Sequence, residues 1–496
     1  MPWQLDSATI FGRRRHRSMP DHPRAGAGLM VMTIFAGGLP RVPGNANLRR
    51  WQHLLWVVRM PSRSIWIDIT ELFDRFRVAS HPTGISRTVL NLADALVADP
   101  GAAFEAARPL FWHPTLRRPL AAEDPQLSPL TAFFPQLSAM YEKTGVARTS
   151  YSSRTMKAIA TSLPRSVRYR LFPADNGVGL FAHWARRQGV RLRPVHFAAG
   201  DCLFVPGSFW LGRYMPSLVA KARSASIPIT ALVHDVLLLS HPEWQCGRHS
   251  EQFRRGCQTL LPECAAIVCN SRHTREELRR HVPLPDDLPV QVCRLADQTF
   301  EGSSRDVPAP VLEILDRRYV LFVSTIVPRK NHKLLVEAWR QLWERLGPST
   351  PYLVLVGGGS PDSVLASMME RQESEGGRII RLGSVDDRSL EALYGHAWLT
   401  AYPSLDEGYG LPVAEALSRG KVCLAAPSGG IREISADLID IIDPIDPRSV
   451  VVMVTAYLSN PARLATREAQ IRQRYRSTNW SETARAIRSV LEGTVA

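Results

Sequence analysis

The sequence has few cysteines, and their spacing suits neither a metal site nor a disulfide framework. Seven cysteines occur in 496 residues, an odd number, and no two of them form a Cys-x-x-Cys pair. Secreted domains held by disulfides and structural zinc sites both need regularly paired cysteines. We therefore expect a protein of a reducing compartment that has no zinc site.

Long apolar runs are also absent. No stretch of 18 consecutive apolar residues occurs, so the sequence predicts no membrane-spanning helix. It contains no internal repeat of solenoid period and no nucleic-acid-binding motif. A chain of 496 residues is too long for one core. Alternating strand and helix patterns over residues 202–294 and 319–434 predict an α/β fold with parallel sheets in two domains.

Lysine is scarce as well, because it supplies only six of the 61 basic residues, a bias typical of GC-rich bacterial genomes. The net charge of +15 is concentrated in two arginine-rich blocks, residues 1–60 and 151–200. The first block superficially resembles a signal peptide but has no convincing cleavage site, so we interpret it as a disordered extension or a misassigned translation start. The second block either attaches the protein peripherally to an anionic inner leaflet or is an ordinary arginine-rich surface.

A glycine-bounded acidic loop is the most informative segment. It follows the apolar run 398–402 and enters a helix at Leu411, where Pro412 fits the first turn. A loop that leaves the carboxyl end of a parallel strand faces the ligand crevice, and free amides at a helix N-terminus bind anions. Glu407 is therefore a candidate to bind sugar hydroxyls, and Glu415 to bind a ribose diol. The amides that we expect to face a sugar or diphosphate are those of Gly408, Tyr409, Gly410 and Leu411.

Two adjacent cations, Arg329 and Lys330, follow the apolar strand that begins at Tyr319. The helix after them repeats its apolar residues at helical spacing, so the pair is predicted to lie at the mouth of the same crevice. Fixed cations at that place would stabilise the negative charge that a departing diphosphate gains. A solvated surface pair is the alternative interpretation.

These segments resemble the signature of the retaining glycosyltransferases of family 4, which have the GT-B fold of two facing Rossmann-like domains. The resemblance runs almost unbroken over residues 319–445 and rests on several motifs in a fixed order. They are YVLFVSTIVPRKN from Tyr319, LVLVGGG from Leu353, RLGSVDD from Arg381, SLDEGYGLPVAE from Ser404 and KVCLAAPSGGIREI from Lys421.

The amino-terminal half carries further marks of this resemblance. The segment Thr83-Gly84-Ile85-Ser86-Arg87 is similar to the first glycine loop of the family, where Gly84 would let the backbone approach donor and acceptor closely. His234 follows an apolar strand and stands at the place of a family histidine that contacts the donor sugar; a buried core histidine is the alternative. Thr325 stands where many members have an arginine, and we include it among the donor-binding candidates. Ala296 replaces a glycine that is common in the turn towards the hinge.

The resemblance also implies a domain organisation. We expect a basic extension over residues 1–60, an acceptor domain over 61–300, a nucleotide-sugar domain over 301–475 and a helix over 476–496 that crosses back to the first domain. It further implies that no cofactor and no essential metal is needed. Because nucleotide sugars are the expected substrates, the expected location is the cytoplasm.

The resulting hypothesis is a hexosyltransferase that acts with retention in surface-polysaccharide synthesis. It would move a sugar, with mannose or rhamnose favoured by the Pro-Arg-Lys-Asn turn, from a nucleotide-diphosphate sugar to a glycan or lipid-linked acceptor. Arg329 and Lys330 would stabilise the leaving diphosphate, while Glu407 and His234 would contact the donor sugar from opposite domains. The alternatives are a sugar-nucleotide epimerase of the same fold and a non-catalytic subunit of a polysaccharide-assembly complex.

Overall fold

The computed structural model describes residues 63–78, 84–122, 129–143, 177–244, 247–297 and 307–495. The basic extension over 1–60, the greater part of the second basic block and most of the predicted linker lie outside the described residues. Peripheral membrane attachment through that block stays a prediction.

The amino-terminal half forms an eight-stranded sheet. Its strands are β1 Ser64–Asp68, β2 Ala106–His113, β3 Arg118–Ala122, β4 Leu192–Pro194, β5 Cys202–Val205, β6 Ile229–Val233, β7 Ala266–Cys269 and β8 Val290–Val292. They lie in the order β4-β3-β2-β1-β5-β6-β7-β8. Only β3 pairs antiparallel with its neighbours among the described strands, and the other pairs are parallel. β1, β5, β6 and β7 are buried throughout, as expected for parallel strands that helices cover on both faces.

The carboxyl-terminal half forms a six-stranded sheet. Its strands are β9 Tyr319–Val323, β10 Tyr352–Val356, β11 Ile379–Gly383, β12 Leu399–Tyr402, β13 Cys423–Ala425 and β14 Asp440–Ile441. The order is β11-β10-β9-β12-β13-β14, and every pair is parallel. Both sheets belong to one compact unit, Pro61–Ala496.

Helices connect the strands, as parallel pairing requires. The described α-helices of the first half are α1 Thr70–Val78, α2 Gly84–Ala98, α3 Leu130–Lys143, α4 Gly177–Arg187, α5 Met215–Ser224, α6 Leu237–Ser240, α7 Gly247–Leu260 and α8 Arg272–His281. Those of the second half are α9 Ala309–Leu315, α10 His332–Leu346, α11 Ser363–Ser374, α12 Asp387–His396, α13 Leu411–Ser418, α14 Ile431–Ser435, α15 Pro447–Ser459, α16 Pro461–Arg474 and α17 Trp480–Val495.

The last helix returns to the first sheet. Ile487 and Leu491 of α17 are fully buried in the same apolar cluster as Ile65 of β1 and Phe204 of β5. The second sheet has its own cluster, which contains the fully buried Trp339 of α10. A further cluster in the first half contains Leu203 of β5 and Ala231 of β6. The described residues therefore form three core clusters, and the last helix completes the one that contains Ile65.

Strand order indicates where ligands can bind. In each sheet the order reverses beside the strand that comes first along the chain, because β1 lies between β2 and β5, and β9 lies between β10 and β12. Open α/β sheets bind ligands outside the carboxyl ends of their strands at such reversals. The loops after β9 and β12 are the two that carry the basic turn and the acidic loop.

Gly357, directly after β10, allows the backbone to pass closely beside the loop after β9. Its φ is 144°, and a Cβ atom at this position would lie 2.0 Å from the Ser324 carbonyl oxygen. We expect Gly357→Ala to lower the free energy of unfolding by about 2 kcal/mol or more, since both the dihedral strain and the collision with backbone act against it. Urea unfolding measures the change. The control is Gly395→Ala, because a Cβ there meets no atom within 4 Å; equal losses in both variants would contradict the prediction.

Candidate functional site

The acidic loop lies between β12 and α13 and is shaped by glycine. Gly410, the residue before α13, has a φ of 104°, a conformation that favours glycine. Gly408 must also lack a side chain, since a Cβ there would lie 2.1 Å from the His234 carbonyl oxygen. The loop thus enters the helix in contact with the first half of the chain. Leu411 is the first residue of α13, and its side chain lies 3.9 Å from the position of a Cβ on Gly84.

The basic turn is fixed directly against this loop. Pro328–Lys330 forms a short 3-10 turn, and the Arg329 carbonyl oxygen accepts a hydrogen bond from the Leu405 amide at 2.8 Å. Asn331 follows with a φ of 60°. Its Nδ2 donates to the carbonyl oxygens of Pro403 at 3.2 Å and Pro444 at 2.7 Å. These bonds hold Arg329 and Lys330 in one position relative to Glu407.

Glu407 is the centre of a buried ionic cluster. Lys330 Nζ donates to Glu407 Oε1, and Arg329 Nη1 lies 2.7 Å from Glu407 Oε2. The hydroxyls of Ser404 and Tyr402 also donate to Oε1. Lys330 and Glu407 are 8 % and 6 % exposed, so both charges depend on protein partners rather than on water.

The surroundings keep both members of the pair in unusual ranges. Burial by itself would raise the pKa of Glu407, but the neighbouring Lys330 and Arg329 outweigh it and lower the pKa to about 2. Burial lowers the pKa of Lys330 to about 8, against the opposing attraction of Glu407. At neutral pH the carboxylate is therefore ionised, and Lys330 is mostly protonated but can lose its proton in mildly alkaline solution.

Glu415 lies on α13 and is also buried. Its Oε2 accepts a hydrogen bond from the Tyr394 hydroxyl at 2.9 Å. Its Oε1 lies 3.8 Å from Nη1 of Arg87, which comes from α2 of the first half and also forms an ion pair with Asp387. Sequence reasoning selected Gly84 from the Thr-Gly-Ile-x-Arg pattern and missed Arg87, although the arginine stands in that same pattern.

His234 lies after β6 and is buried. Its Nε2 is 2.8 Å from the Pro206 carbonyl oxygen, so Nε2 carries the proton. Burial lowers the pKa of the ring, which is consistent with a neutral imidazole. Its own carbonyl oxygen accepts from Asn270 Nδ2 at 2.8 Å. The backbone of His234 packs closely against Gly408, because its carbonyl oxygen occupies the place where a Cβ of residue 408 would lie.

Two other sequence candidates have different surroundings. Thr325 is exposed in the loop after β9. The Tyr409 side chain is buried towards the segment that connects the sheets: its hydroxyl donates to the Leu295 carbonyl oxygen at 3.1 Å and accepts from Arg294 Nε at 3.2 Å. Tyr409 thus contributes its side chain to the connection between the halves, while the amides of the loop remain beside the ionic cluster.

Polar contacts across the two halves surround the acidic loop. The Gly408 carbonyl oxygen accepts from the hydroxyls of Ser271 at 2.5 Å and Thr274 at 3.1 Å. Asp406 lies 3.1 Å from His273 Nε2, and its carboxylate raises the pKa of that histidine. Glu433 of α14 accepts from the first amide of α8 at 2.8 Å and from the second at 2.7 Å. The loop is consequently built by both halves.

Comparison with known proteins agrees with this architecture. Crystal structures of HepE from Anabaena in complex with UDP and glucose (TM-score 0.54, 14 % identity) and of sucrose-phosphate synthase from Thermosynechococcus elongatus (TM-score 0.53, 16 % identity) superimpose on 87 % and 86 % of this chain. They are covered over 100 % and 98 % of their own lengths. The fold is GT-B. The predicted fold class is confirmed.

Sequence comparison identifies the second half more specifically. Residues 305–492 match the family model of glycosyl transferases group 1. The chain is 29 % identical to O-antigen chain mannosyltransferase B of Escherichia coli over 43 % of this chain and 56 % of that protein. It is 24 % identical to the serotype-specific mannosyltransferase WbdA of Escherichia coli over 46 % of this chain and 29 % of that protein. A D-inositol 3-phosphate glycosyltransferase of Xylanimonas cellulosilytica is 29 % identical over 61 % and 74 %. The chain thus matches about half or less of the two mannosyltransferases.

The described ranges contain no group of three or more histidine, cysteine or acidic side chains arranged to hold a metal ion. None of the described helices has the length and apolar character that crossing a bilayer requires.

The ionic cluster predicts a pH-dependent stability. Glu407→Gln leaves Lys330 and Arg329 without a carboxylate, and we expect it to lower the free energy of unfolding at pH 7 by about 3 kcal/mol. Because the folded pKa of Glu407 is about 2 and its ordinary value is 4.5, the carboxylate stabilises the fold fully above pH 4.5 and progressively less as the pH falls towards 2. The difference between the variant and the natural protein should therefore shrink in that window, as followed by urea unfolding.

Asp446→Asn is the matched control for this prediction. Asp446 pairs with Arg448 in an exposed bridge, with side chains 33 % and 74 % exposed, and such bridges contribute little. Asparagine also keeps the helix cap that Asp446 provides. A Glu407→Gln unfolding midpoint as high as that of this control would show that the buried pair has no net role in stability.

Proposed function

We propose that the protein is a retaining glycosyltransferase that transfers a hexose from a nucleotide-diphosphate sugar to a glycan or lipid-linked acceptor. The observation that carries the proposal is the buried cluster in which Lys330 and Arg329 meet Glu407 at the carboxyl ends of β9 and β12. The cluster lies where the strand order of the second sheet reverses, which is the general position for ligands in such sheets.

The charge of this cluster suits a diphosphate. Two cations pair directly with one carboxylate, with Asp235 as a further negative charge that acts on both cations. The hydrogen bonds around Asn331 fix the cations before any ligand arrives. Fixed charges in a water-poor site stabilise developing negative charge without reorganisation. Departure of the nucleoside diphosphate breaks the glycosidic bond and leaves its electrons on a phosphate oxygen, which Lys330 and Arg329 would stabilise.

The two glutamates would bind the remaining parts of the donor. Glu407 accepts hydrogen bonds and lies beside the cations, so it would take hydroxyls of the donor sugar. Glu415 lies further along the chain, on α13, where its Oε1 is 3.8 Å from Arg87 Nη1. It would accept hydrogen bonds from the ribose diol. His234 donates its Nε2 proton to the Pro206 carbonyl oxygen. Nδ1 of the neutral ring is therefore left to accept a hydrogen bond from the donor sugar.

Retention would follow from departure and attack on the same face of the sugar. The leaving diphosphate oxygen would take the proton of the acceptor hydroxyl, and the new bond would form where the old one broke. Contacts of Gly408 with Ser271 and Thr274 hold the two halves together beside this place. A closed site of this kind limits hydrolysis, because it keeps water from the donor.

Mannose is the donor sugar that we favour. The support is the names of two relatives that are mannosyltransferases, together with the Pro-Arg-Lys-Asn turn. Those names also support surface-polysaccharide synthesis as the process. The epimerase and the non-catalytic subunit remain alternatives that no described contact favours.

Donor binding provides the first test. We expect one class of UDP-, GDP-, dTDP- or ADP-sugar to raise the melting temperature, since a ligand at about 100 times its dissociation constant stabilises the native state by roughly 2.7 kcal/mol. Lys330→Ala should abolish the shift. Lys333→Ala is the matched control, because Lys333 lies on the same segment but is 47 % exposed and pairs with Asp362. No shift with any of the four classes would contradict the proposal.

Alkaline pH should weaken donor binding. Lys330 has a pKa of about 8, so the cation that would meet the diphosphate is present below that pH and is lost as the pH rises through it. Calorimetric titration with the donor found above should show affinity falling between pH 7 and pH 9. In Lys330→Arg the decline should vanish, because a guanidinium keeps its charge over this range. The same pH dependence in both proteins would assign the decline to another group.

A further inference from the structure

A buried polar network joins the two chain connections between the halves. We call residues 294–297, which leave β8, the outgoing connection, and residues 475–478, which lead from α16 to α17, the return connection. Asp297 is 1 % exposed, and its amide donates to the Thr478 carbonyl oxygen at 3.1 Å. Its Oδ1 accepts from the Thr478 amide at 3.1 Å, and its Oδ2 accepts from the Tyr475 hydroxyl at 2.6 Å. One carboxylate therefore holds both connections side by side.

Arg294 extends this network to the acidic loop. Its Nη2 donates to Asp297 Oδ2 at 3.1 Å and to the Tyr475 hydroxyl at 2.7 Å, and its guanidinium lies 5.3 Å from the centroid of the Tyr475 ring. Its Nε donates to the Tyr409 hydroxyl at 3.2 Å. Tyr409 stands just after Glu407 and Gly408 in the chain. A single guanidinium thus contacts both connections and the loop that carries Glu407.

The helix that follows the acidic loop is attached at its other end as well. Ser418 is the last residue of α13, and its hydroxyl donates to the Asp297 carbonyl oxygen at 3.3 Å. Tyr409 stands just before the start of the same helix. The outgoing connection therefore contacts both ends of α13, the helix that carries Glu415. Joining the two connections needs only the contacts between them, so the bonds to Tyr409 and Ser418 have a further effect, which is to fix α13 and its loop.

Water cannot easily replace these hydrogen bonds. Tyr409 and Tyr475 are both buried. Burial raises the pKa of the Tyr409 hydroxyl to about 12, so the hydroxyl stays protonated; it donates to the Leu295 carbonyl oxygen and accepts from Arg294. Buried polar networks are costly when they are only partly satisfied. Loss of the Arg294 contact would therefore shift the Tyr409 side chain, and the acidic loop would move with it.

We propose that Arg294 is a positioning residue for donor binding, which acts through the Tyr409 hydroxyl to hold Glu407 and the start of α13 in place. The assignment rests on the proposed function, because it concerns the donor site of the same reaction. The role is indirect, since Arg294 contacts the loop and the loop carries the carboxylate that would bind the sugar. A contact that only joined the halves would contribute to stability and leave donor affinity unchanged.

Calorimetric titration of the full chain with UDP-glucose, GDP-mannose, dTDP-rhamnose and ADP-glucose tests the assignment. Tyr409→Phe removes one hydroxyl and keeps the ring. Arg294→Lys keeps a positive charge for Asp297, but an ammonium lacks the planar fork that reaches several partners. We expect either variant to bind the nucleotide sugar roughly tenfold more weakly, since small displacements of site residues are costly even when the change is remote.

Tyr319→Phe is the matched control. The Tyr319 hydroxyl is buried and donates to the Leu393 carbonyl oxygen at 2.6 Å, so this variant also loses one buried hydroxyl of the second half. Tyr319 is the first residue of β9, whereas the acidic loop follows the carboxyl end of the parallel neighbour β12. This variant should bind the nucleotide sugar like the natural protein. Urea unfolding of every variant separates a loss of stability from a loss of affinity.

The double variant Arg294→Lys/Tyr409→Phe decides whether the two residues act together. If Arg294 works through the hydroxyl, the double variant should bind no more weakly than the weaker of the single variants. Additive losses would show that Arg294 acts by another route and would contradict the assignment. Natural affinity in Tyr409→Phe would contradict it as well, even where Arg294→Lys does not fold.

Failure of this inference can be told apart from failure of the proposed function. If a nucleotide sugar binds the natural protein, and Tyr409→Phe and Arg294→Lys bind it as tightly as Tyr319→Phe, the positioning role is wrong while the proposed function stands. If none of the four nucleotide sugars binds the natural protein, the proposed function fails and the positioning role fails with it.

Discussion

Two positive charges, Lys330 and Arg329, and one negative charge, Glu407, lie at the centre of this structure. Neighbouring parts of both halves are arranged around them. Lys330 and Glu407 are almost completely removed from water, where an isolated charge of either sign would be strongly unfavourable. Each is tolerated because the other is present, with Arg329, Tyr402 and Ser404 completing the hydrogen bonds. A buried pair of this kind rarely adds stability over an apolar core. Its position at a strand-order reversal is therefore consistent with the anion-binding role that we propose.

The same loop that carries Glu407 also joins the two halves. Gly408 offers its carbonyl oxygen to Ser271 and Thr274, and the neighbouring Asp406 meets His273. Any displacement of the halves relative to each other would break these contacts within three residues of the ionic cluster. Opening of the cleft would therefore also change the geometry around Glu407, because the residues that contact the other half are its direct neighbours in the loop.

Much of this organisation is readable from sequence, and the reasons are local. The apolar run before Arg329 and the run before the acidic loop give β9 and β12, because parallel strands buried on both faces need uninterrupted apolar residues. Because β9 and β12 are parallel neighbours, the basic turn and the acidic loop that follow them lie at the same edge of the sheet. The ion pairs that Arg87 forms with Asp387 and Glu415 and the position of the Tyr409 hydroxyl could not be read in this way. These contacts join segments more than 100 residues apart, and their side-chain directions depend on how the halves pack.

Arg87 connects the first half of the chain with the helix of the proposed donor site. Its guanidinium lies near the carboxylate that would receive the ribose. A ribose diol that binds Glu415 would compete with Arg87 for the same oxygen, and the ion pair with Asp387 gives the arginine a second partner to keep. Donor binding would thus rearrange one side chain of α2 without releasing the helix from the second half.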